Sequence, residues 1–352
     1  MNKTNPIISI IIPSFNRQDL IVETLDSVLA QTYQNWECLV IDDGSTDQSV
    51  QVIEEYAQKE SRIKFFQRNK EPKGAPTCRN IGLNHAIGDF VIYLDSDDLL
   101  APYCLSQRVI LFQQYSDCDF IVFKSLLFDN QPEDAQFVWN IDTEEDDLLR
   151  FLRMDALWQT SGPIYKREFL IQMDGFREDL PFWQDFDLHL RCLLANASYT
   201  KHFSANPDIY IREGRKDTIS RSTSFTGNLP ILQKRIDFYK ELHVAIRPKK
   251  YRLNNEYLFT LNSMSYFFCA QYFIRHRKFK SFLKQWNASL AVTAHPSISK
   301  NKSIWFVFLI KLATKFKFLE SYKVSYFKKN KNVLPDYYIM NQNSLNTTKV
   351  NS

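Results

Sequence analysis

Glycine is scarce, with eight in 352 residues. Neither G-x-G-x-x-G nor G-x-x-x-x-G-K-[ST] occurs, which excludes the usual glycine cradles for dinucleotides and P-loop phosphates. The six cysteines (Cys38, Cys78, Cys104, Cys118, Cys192, Cys269) are scattered, with no C-x-x-C and no zinc-finger spacing. That pattern excludes a disulfide scaffold and reads as the reduced thiols of a cytosolic protein. Long apolar runs are missing too. Ile7–Ile12 stops at Pro13, too short for a secretory signal. Tyr257–Ile274 carries no charge but is broken by Thr260, Asn262, Ser263, Ser265 and Gln271, and Ile304–Ile310 is only seven residues long. A spanning helix needs about 20 mostly apolar residues, so none is expected.

What is present is an ordinary globular composition, 44% hydrophobic and 24% charged, which rules out a disordered or collagen-like chain. The length allows two domains. The net charge of +4 conceals a division. Residues 231–352 hold 22 Lys and Arg against 5 Asp and Glu, whereas residues 1–230 hold 22 against 35. Two regions with different partners follow from such an asymmetry.

The first hundred residues alternate strand and helix patterns. Ile7–Ile12, Cys38–Ile41, Ile63–Phe66 and Phe90–Leu94 are short apolar runs that suit strands buried on both faces. Between them lie helical stretches. One runs from Asp19 with Val22, Leu25, Val28 and Leu29 on a stripe, one starts near Thr46 or Asp47 and reaches Tyr56, and one spans about Thr77 to Ala86. The alternation predicts an α/β fold with a mostly parallel sheet flanked by helices. Ligands of such sheets bind beyond the carboxyl ends of the strands, and three polar clusters sit there: Pro13–Arg17, Asp42–Asp47 and Asp95–Asp98. Further on, Asp119–Phe128 reads as a strand and Leu148–Met154 as a helix. Gln159–Tyr165 reads as turn-rich, and Trp183–Leu194 follows it.

Asp95-Ser96-Asp97-Asp98 ends an apolar strand, and two carboxylates one residue apart can converge on Mg²⁺ or Mn²⁺. The alternative is a turn whose aspartates bind local amides. Asp42-Asp43-Gly44-Ser45-Thr46-Asp47 has the same two readings, ligand carboxylate or turn and helix cap. Arg79 could be a bidentate donor to diphosphate oxygens or a surface ion-pair partner. Like charges gathered on one rim repel, so a cation or a donor-rich ligand is expected there.

Taken in order, S-I-I-I-P-S-F-N-R (Ser9–Arg17), S-V-L-A-Q-T-Y-Q-N-W-E (Ser27–Glu37), I-D-D-G-S-T-D (Ile41–Asp47), R-N-I-G (Arg79–Gly82) and Y-L-D-S-D-D (Tyr93–Asp98) resemble family 2 glycosyltransferases. The resemblance covers residues 7–100 well and extends loosely to about 225. It implies a GT-A fold and an inverting, nucleotide-sugar-dependent enzyme. It also implies roles. Pro13, Phe15, Asp42, Asp43, Arg79 and Asp95 form the nucleotide-sugar-binding set, with Phe15 against the uracil base and Asp43 binding it. Asp97 and Asp95 hold Mn²⁺ or Mg²⁺. The catalytic base falls at Asp185, in Trp183-Gln184-Asp185-Phe186-Asp187-Leu188, where Gln184 replaces the family's usual Glu. Losing that neighbouring charge should leave the Asp185 pKa less raised than in an acidic pair. Trp158 and Trp183 are candidates for the acceptor site, with core packing as the alternative.

The expected partners are a nucleotide-diphosphate sugar, UDP-linked by this reading, and a glycan or lipid-linked glycan acceptor in cell-surface polysaccharide or glycolipid synthesis. A sugar-nucleotide-binding scaffold that does not turn over is the alternative, motivated by Gln184. The division expected is a catalytic domain over 1–230, a basic, aromatic-rich, mainly helical extension over 231–340, and a disordered tail over 341–352. Lysines at 311, 315, 317, 323, 328, 329 and 331 interleave with aromatic residues. They suit an anionic membrane surface or the solvated face of ordinary helices. The localisation that follows is cytoplasmic, peripheral on the membrane face. Nucleic acid is a poor partner, because the acidic half would repel it.

Overall fold

The computed structural model describes residues 5–180 and 182–213, with residues 234, 235, 237–239, 241, 242, 257, 260, 261 and 264 beyond them. The chain divides into two compact units. One comprises residues 1–144, 156–218 and 346–352, and the other residues 145–155 and 219–345.

The first unit is built on β1 (Ile8–Ser14), α1 (Ile21–Leu29), β2 (Trp36–Asp42), α2 (Ser49–Lys59), β3 (Ile63–Gln67), α3 (Ala75–His85) and β4 (Phe90–Tyr93). These are the elements the apolar runs predict, with most ends shifted by up to three residues. β1 lies between β2 and β4 and is parallel to both, and β2 is parallel to β3. Every residue of β1 and β2 is buried, which is why both strands read as continuous apolar runs rather than alternating ones. The helix after β1 buries Ile21, Thr24, Leu25 and Val28. Leu29, expected on that stripe, is exposed, because the apolar face ends one residue earlier at Val28.

α3 packs unusually close to the sheet. A Cβ at Gly82 would stand 2.4 Å from Ile11 Cγ2 and 2.9 Å from Ile41 Cδ1. The absence of a side chain at Gly82 therefore sets how near α3, and the arginine it carries, can come to the strand ends.

The rest of the unit contains β5 (Leu99–Leu100), α4 (Cys104–Gln114), β6 (Phe120–Phe123), β7 (Ser125–Phe128) and β8 (Phe137–Val138). After residue 155 it continues with β9 (Pro163–Lys166), α6 (Arg167–Gln172), α7 (Gln184–Leu194), β10 (Tyr199–His202) and β11 (Ile209–Arg212). The main sheet has the order β10-β6-β9-β4-β1-β2-β3, and a smaller sheet the order β5-β11-β7-β8. Two expectations need correcting. Asp119–Phe128 is not one strand but two, β6 in the main sheet and β7 in the smaller one. Pro163–Lys166 is not turn but a strand, inserted antiparallel between β4 and β6. It is only four residues long, starts with proline and alternates weakly, so little periodicity marks it.

Behind β9 sits a fully buried ion pair. Arg108 donates through Nε and Nη2 to the two Asp208 oxygens, each at 2.9 Å, and through Nη1 to the carbonyls of Ser161 and Pro163. It joins α4, the approach to β11 and the entry to β9. Cys38, Cys78, Cys104, Cys118 and Cys192 are free and buried.

In the second unit, α5 (Asp147–Leu152) is capped by Asp146, whose carboxylate accepts from Leu149 N at 2.8 Å. Arg150 pairs with Asp155 at 2.9 Å, and the Tyr239 hydroxyl donates to Leu152 O. The described residues between 234 and 264 are helical. Apart from these, the expected extension over 231–340 and the tail over 341–352 lie outside the described residues. Among the described residues no helix is long and apolar enough to cross a membrane.

Candidate active site

The loops after β1 and β2 are stapled to each other. Asn16 N donates to Ser45 Oγ, and Asn16 Oδ1 accepts from Thr46 N. Arg17 N donates to Ser49 Oγ, and Gln18 N to Asp47 Oδ2. Asn16 adopts a left-handed conformation, φ 50°, which asparagine tolerates better than most residues. Pro13 is buried near the end of β1 in register with Ile41. Phe15 emerges beyond it, 40% exposed. Lys73 Nζ lies 3.5 Å from the Phe15 ring centroid, a cation–π contact.

Asp42 and Asp43 separate into different roles. The Asp42 carboxylate accepts from Gly44 N and Ser45 N at 2.9 Å each and from the Ser45 hydroxyl. Both its oxygens are committed to its own turn. Asp42 therefore shapes the loop beside the candidate nucleotide site. Asp43 faces other elements. Its Oδ1 accepts from Arg68 Nε at 2.7 Å and from Gly74 N at 3.1 Å, at the start of α3. Cys78 Sγ lies 3.7 Å away, and burial together with Asp43 pushes that thiol up to about 12.

One turn further along α3, Arg79 turns to the end of β4. It is 5% exposed. Nη2 meets Asp95 Oδ1 at 2.5 Å, and Nη1 donates to Gln184 Oε1 at 3.0 Å. Nε is buried with no partner among the described residues. A single helical stretch, Gly74–Arg79, thus links Asp43 on one side to Asp95 and Gln184 on the other. The neighbouring Asn80 anchors the opposite wall. It exchanges two hydrogen bonds with the Phe176 backbone, 2.8 Å each. Gly175 before it has φ +54°, and a Cβ there would come 2.4 Å from Asn80 Oδ1.

Asp97 lies 3.5 Å from Arg17 Nη2. Burial pushes its carboxyl up and the like charge of Asp95 adds to this, while Arg17 pulls it down. Asp98 is buried and accepts from Arg212 N at 3.0 Å. Burial, then Asp97 and Asp95, push it well above the usual carboxylate range. Arg212 also donates to Asp97 O and pairs with Glu23 at 2.6 Å. No group of three or more His, Cys, Asp or Glu that could hold a metal occurs among the described residues. Two carboxylates one residue apart at a strand end fit a cation whose remaining ligands come from a diphosphate, since Mg²⁺-type ions commonly take one or two protein carboxylates.

α7 begins beside this group. Trp183 precedes it in a left-handed conformation, φ 59°, which costs about 1–3 kcal/mol for a bulky residue and tends to persist at functional sites. Gln184 and Asp185 follow. Asp185 is half-buried. Burial pushes its carboxyl up, Arg79 pulls it down, and Asp95 pushes it up again. Asp187 instead pairs with Arg191 at 2.7 Å. Trp183 is partly exposed and packs on Phe182 and Phe186. Trp158 is 2% exposed and lies among Phe120, His189 and Tyr199. That burial places it in the core, the alternative to an acceptor role.

Arg68, Lys73 and Arg212 were not singled out by the sequence. The rule that ligands gather at strand ends, applied to β3 as it was to the other strands, points to Arg68 and the loop that follows.

A mostly parallel sheet with one antiparallel strand inserted, and with acidic and arginine side chains gathered at its strand ends, is a GT-A fold. Residues 9–170, just under half of the chain, match the model of glycosyl transferase family 2. An uncharacterized glycosyltransferase of Rickettsia felis is 44% identical over 92 residues, 26% of this chain and 15% of that protein. The chain therefore spans a small part of that relative. An uncharacterized glycosyltransferase of Haemophilus influenzae is 26% identical over 308 residues, covering 84% of this chain and 98% of the relative. Among solved structures, S. aureus TarS 1–349 in complex with UDP-GlcNAc superposes with a TM-score of 0.58 at 22% identity, over 82% of this chain and 81% of that one.

Proposed function

We propose that the protein transfers a sugar from a nucleotide-diphosphate sugar, UDP-linked, to an acceptor hydroxyl with inversion at the anomeric carbon. The observation that carries this reading is the α3 linkage. Gly74 and Cys78 meet Asp43, and Arg79 meets Asp95 and the residue before Asp185. Phe15 offers an exposed ring for the base. Asp43, whose Oδ2 has no partner among the described residues, can accept from a ring N–H. Arg79 offers the diphosphate a buried Nε that has no partner among the described residues. Asp95 and Asp97 would hold Mn²⁺ or Mg²⁺, which supplies positive charge to a departing diphosphate. Asp185 takes the proton from the acceptor hydroxyl as that oxygen attacks C1 from the face opposite the leaving group. One displacement inverts the centre, so an α-linked donor yields a β-linked product. The acceptor belongs to glycan or lipid-linked glycan chemistry, and the basic carboxyl-terminal region suits delivery at an anionic membrane surface.

The test is Asp185→Asn. Donor binding should persist, measured calorimetrically with UDP and Mn²⁺, while transfer falls by about 10²–10⁴, the usual worth of a general base. Full turnover in that variant would remove the base assignment. Gln184 favours one other reading, a donor-binding scaffold. Tight UDP binding with no transfer from any of a broad panel of sugar nucleotides would select it.

A further inference from the structure

The contact between Arg79 and Gln184 has a consequence for charge. Arg79 is nearly sealed from solvent and carries one full positive charge. Its ring of partners holds a single formal counter-charge, Asp95 at 2.5 Å. The second partner, Gln184 Oε1 at 3.0 Å, is a neutral acceptor. Gln184 is itself buried, and the face of Phe176 lies 5.0 Å from the guanidinium carbon. A carboxylate at 184 would make the same hydrogen bond but add a second negative charge in a poorly hydrated place. Arg79 would then be over-compensated, with two carboxylates on one guanidinium and Asp185 next in the chain.

We propose that Gln184 is a positioning residue that fixes the Arg79 guanidinium at the strand ends without cancelling its charge, so that Arg79 binds a nucleoside diphosphate even without a divalent cation. This rests on the donor-binding reading above. Gln184 orients Nη1, Asp95 orients Nη2, and Nε is left buried without a partner among the described residues, the donor a diphosphate oxygen would take up. The cation at Asp95 and Asp97 then adds to a site that is already attractive to the anion, rather than creating it. Charge-assisted hydrogen bonds from a held guanidinium are about twice as strong as neutral ones, so the metal-free affinity is the quantity Gln184 protects.

The experiment compares UDP binding by the full chain with EDTA and with saturating Mn²⁺, using wild type, Gln184→Glu and Gln184→Met. The readout is the ratio of the metal-free to the Mn²⁺-loaded Kd. Gln184→Glu, which is isosteric, should raise that ratio about tenfold, because metal-free binding weakens while the added carboxylate is tolerated beside Mn²⁺. Gln184→Met keeps the charge and loses the acceptor, so both Kd values should rise together and the ratio should hold. A merely structural role would move both Kd values in Gln184→Glu alike. An unchanged ratio in Gln184→Glu, with thermal unfolding as in wild type, overturns the proposal. If wild type itself binds neither UDP nor GDP under either condition, the donor-binding reading fails and takes this inference with it.

Discussion

The loop after β2 and the turn after β4 look alike as text, D-D-G-S-T-D and D-S-D-D, yet their carboxylates do different work. In the first, Asp42 binds Gly44 and Ser45, and Asp47 accepts from Ser49 N at 3.0 Å. Asp42 is satisfied within its own turn, Asp47 also accepts from Gln18 N of the β1 loop, and only Asp43 reaches across to Arg68 and α3. In the second, Asp95 meets Arg79 from α3, Asp97 faces Arg17 from the β1 loop, and Asp98 meets β11. Carboxylates answered by local amides build a loop. Carboxylates answered by arginines from other elements, and repelled by each other, are left able to exchange those partners for a ligand.

Substitutions can break this contrast. The largest expected effect is at the second turn. Asp97→Asn should lower kcat by about 10²–10³, the usual cost of one electrostatic stabiliser, with unfolding in urea little changed. Asp42→Asn should do the reverse, costing about 1–3 kcal/mol of stability through lost acceptors on buried donors, while the folded protein keeps its turnover. Equal loss of turnover in both variants would erase the distinction. A control on scaffold alone is Arg108→Met. It leaves Asp208 charged and buried, and should cost about 3–5 kcal/mol in urea unfolding without a specific effect on donor affinity.

The pH profile sharpens the same comparison. Asp185 is pushed up by burial before any charge acts on it. A base functions only when unprotonated, so kcat/KM should fall as pH drops through a value above the usual carboxylate range. Arg79→Met removes the charge that pulls Asp185 down and should move this acid limb to higher pH still. A limb that stays put would detach Asp185 from Arg79. The smallest effect belongs to Lys73→Ala. It removes a cation from the Phe15 ring, worth about 0.5–1 kcal/mol at an exposed site, and should change UDP affinity less than Arg79→Met does.

How much of this was legible beforehand follows from range. β1 to β4 and the helices between them are marked by short apolar runs and turn residues, each complete within a dozen positions. The candidate site residues Phe15, Asp43, Arg79, Asp95, Asp97 and Asp185 lie in recognisable motifs. For Asp42 and Trp158 a motif names the residue without saying which way its side chain is satisfied. β9 was missed because an antiparallel strand of four residues opening on proline has almost no periodic signal. The splitting of β6 from β7 was missed because one apolar stretch feeds two sheets.

The order of apolar runs and strand-end carboxylates by itself determined the α/β architecture and the rim that carries the candidate site, since burial on both faces of a sheet demands those runs and loops follow them. Only the tertiary structure decided that Arg79 stands between Asp95 and Gln184, that Asp42 closes its own turn, and that desolvation lifts Asp185. Each depends on how closely α3 and α7 approach the strand ends from distant positions in the chain, and distances of that kind are set by packing rather than by neighbours in sequence.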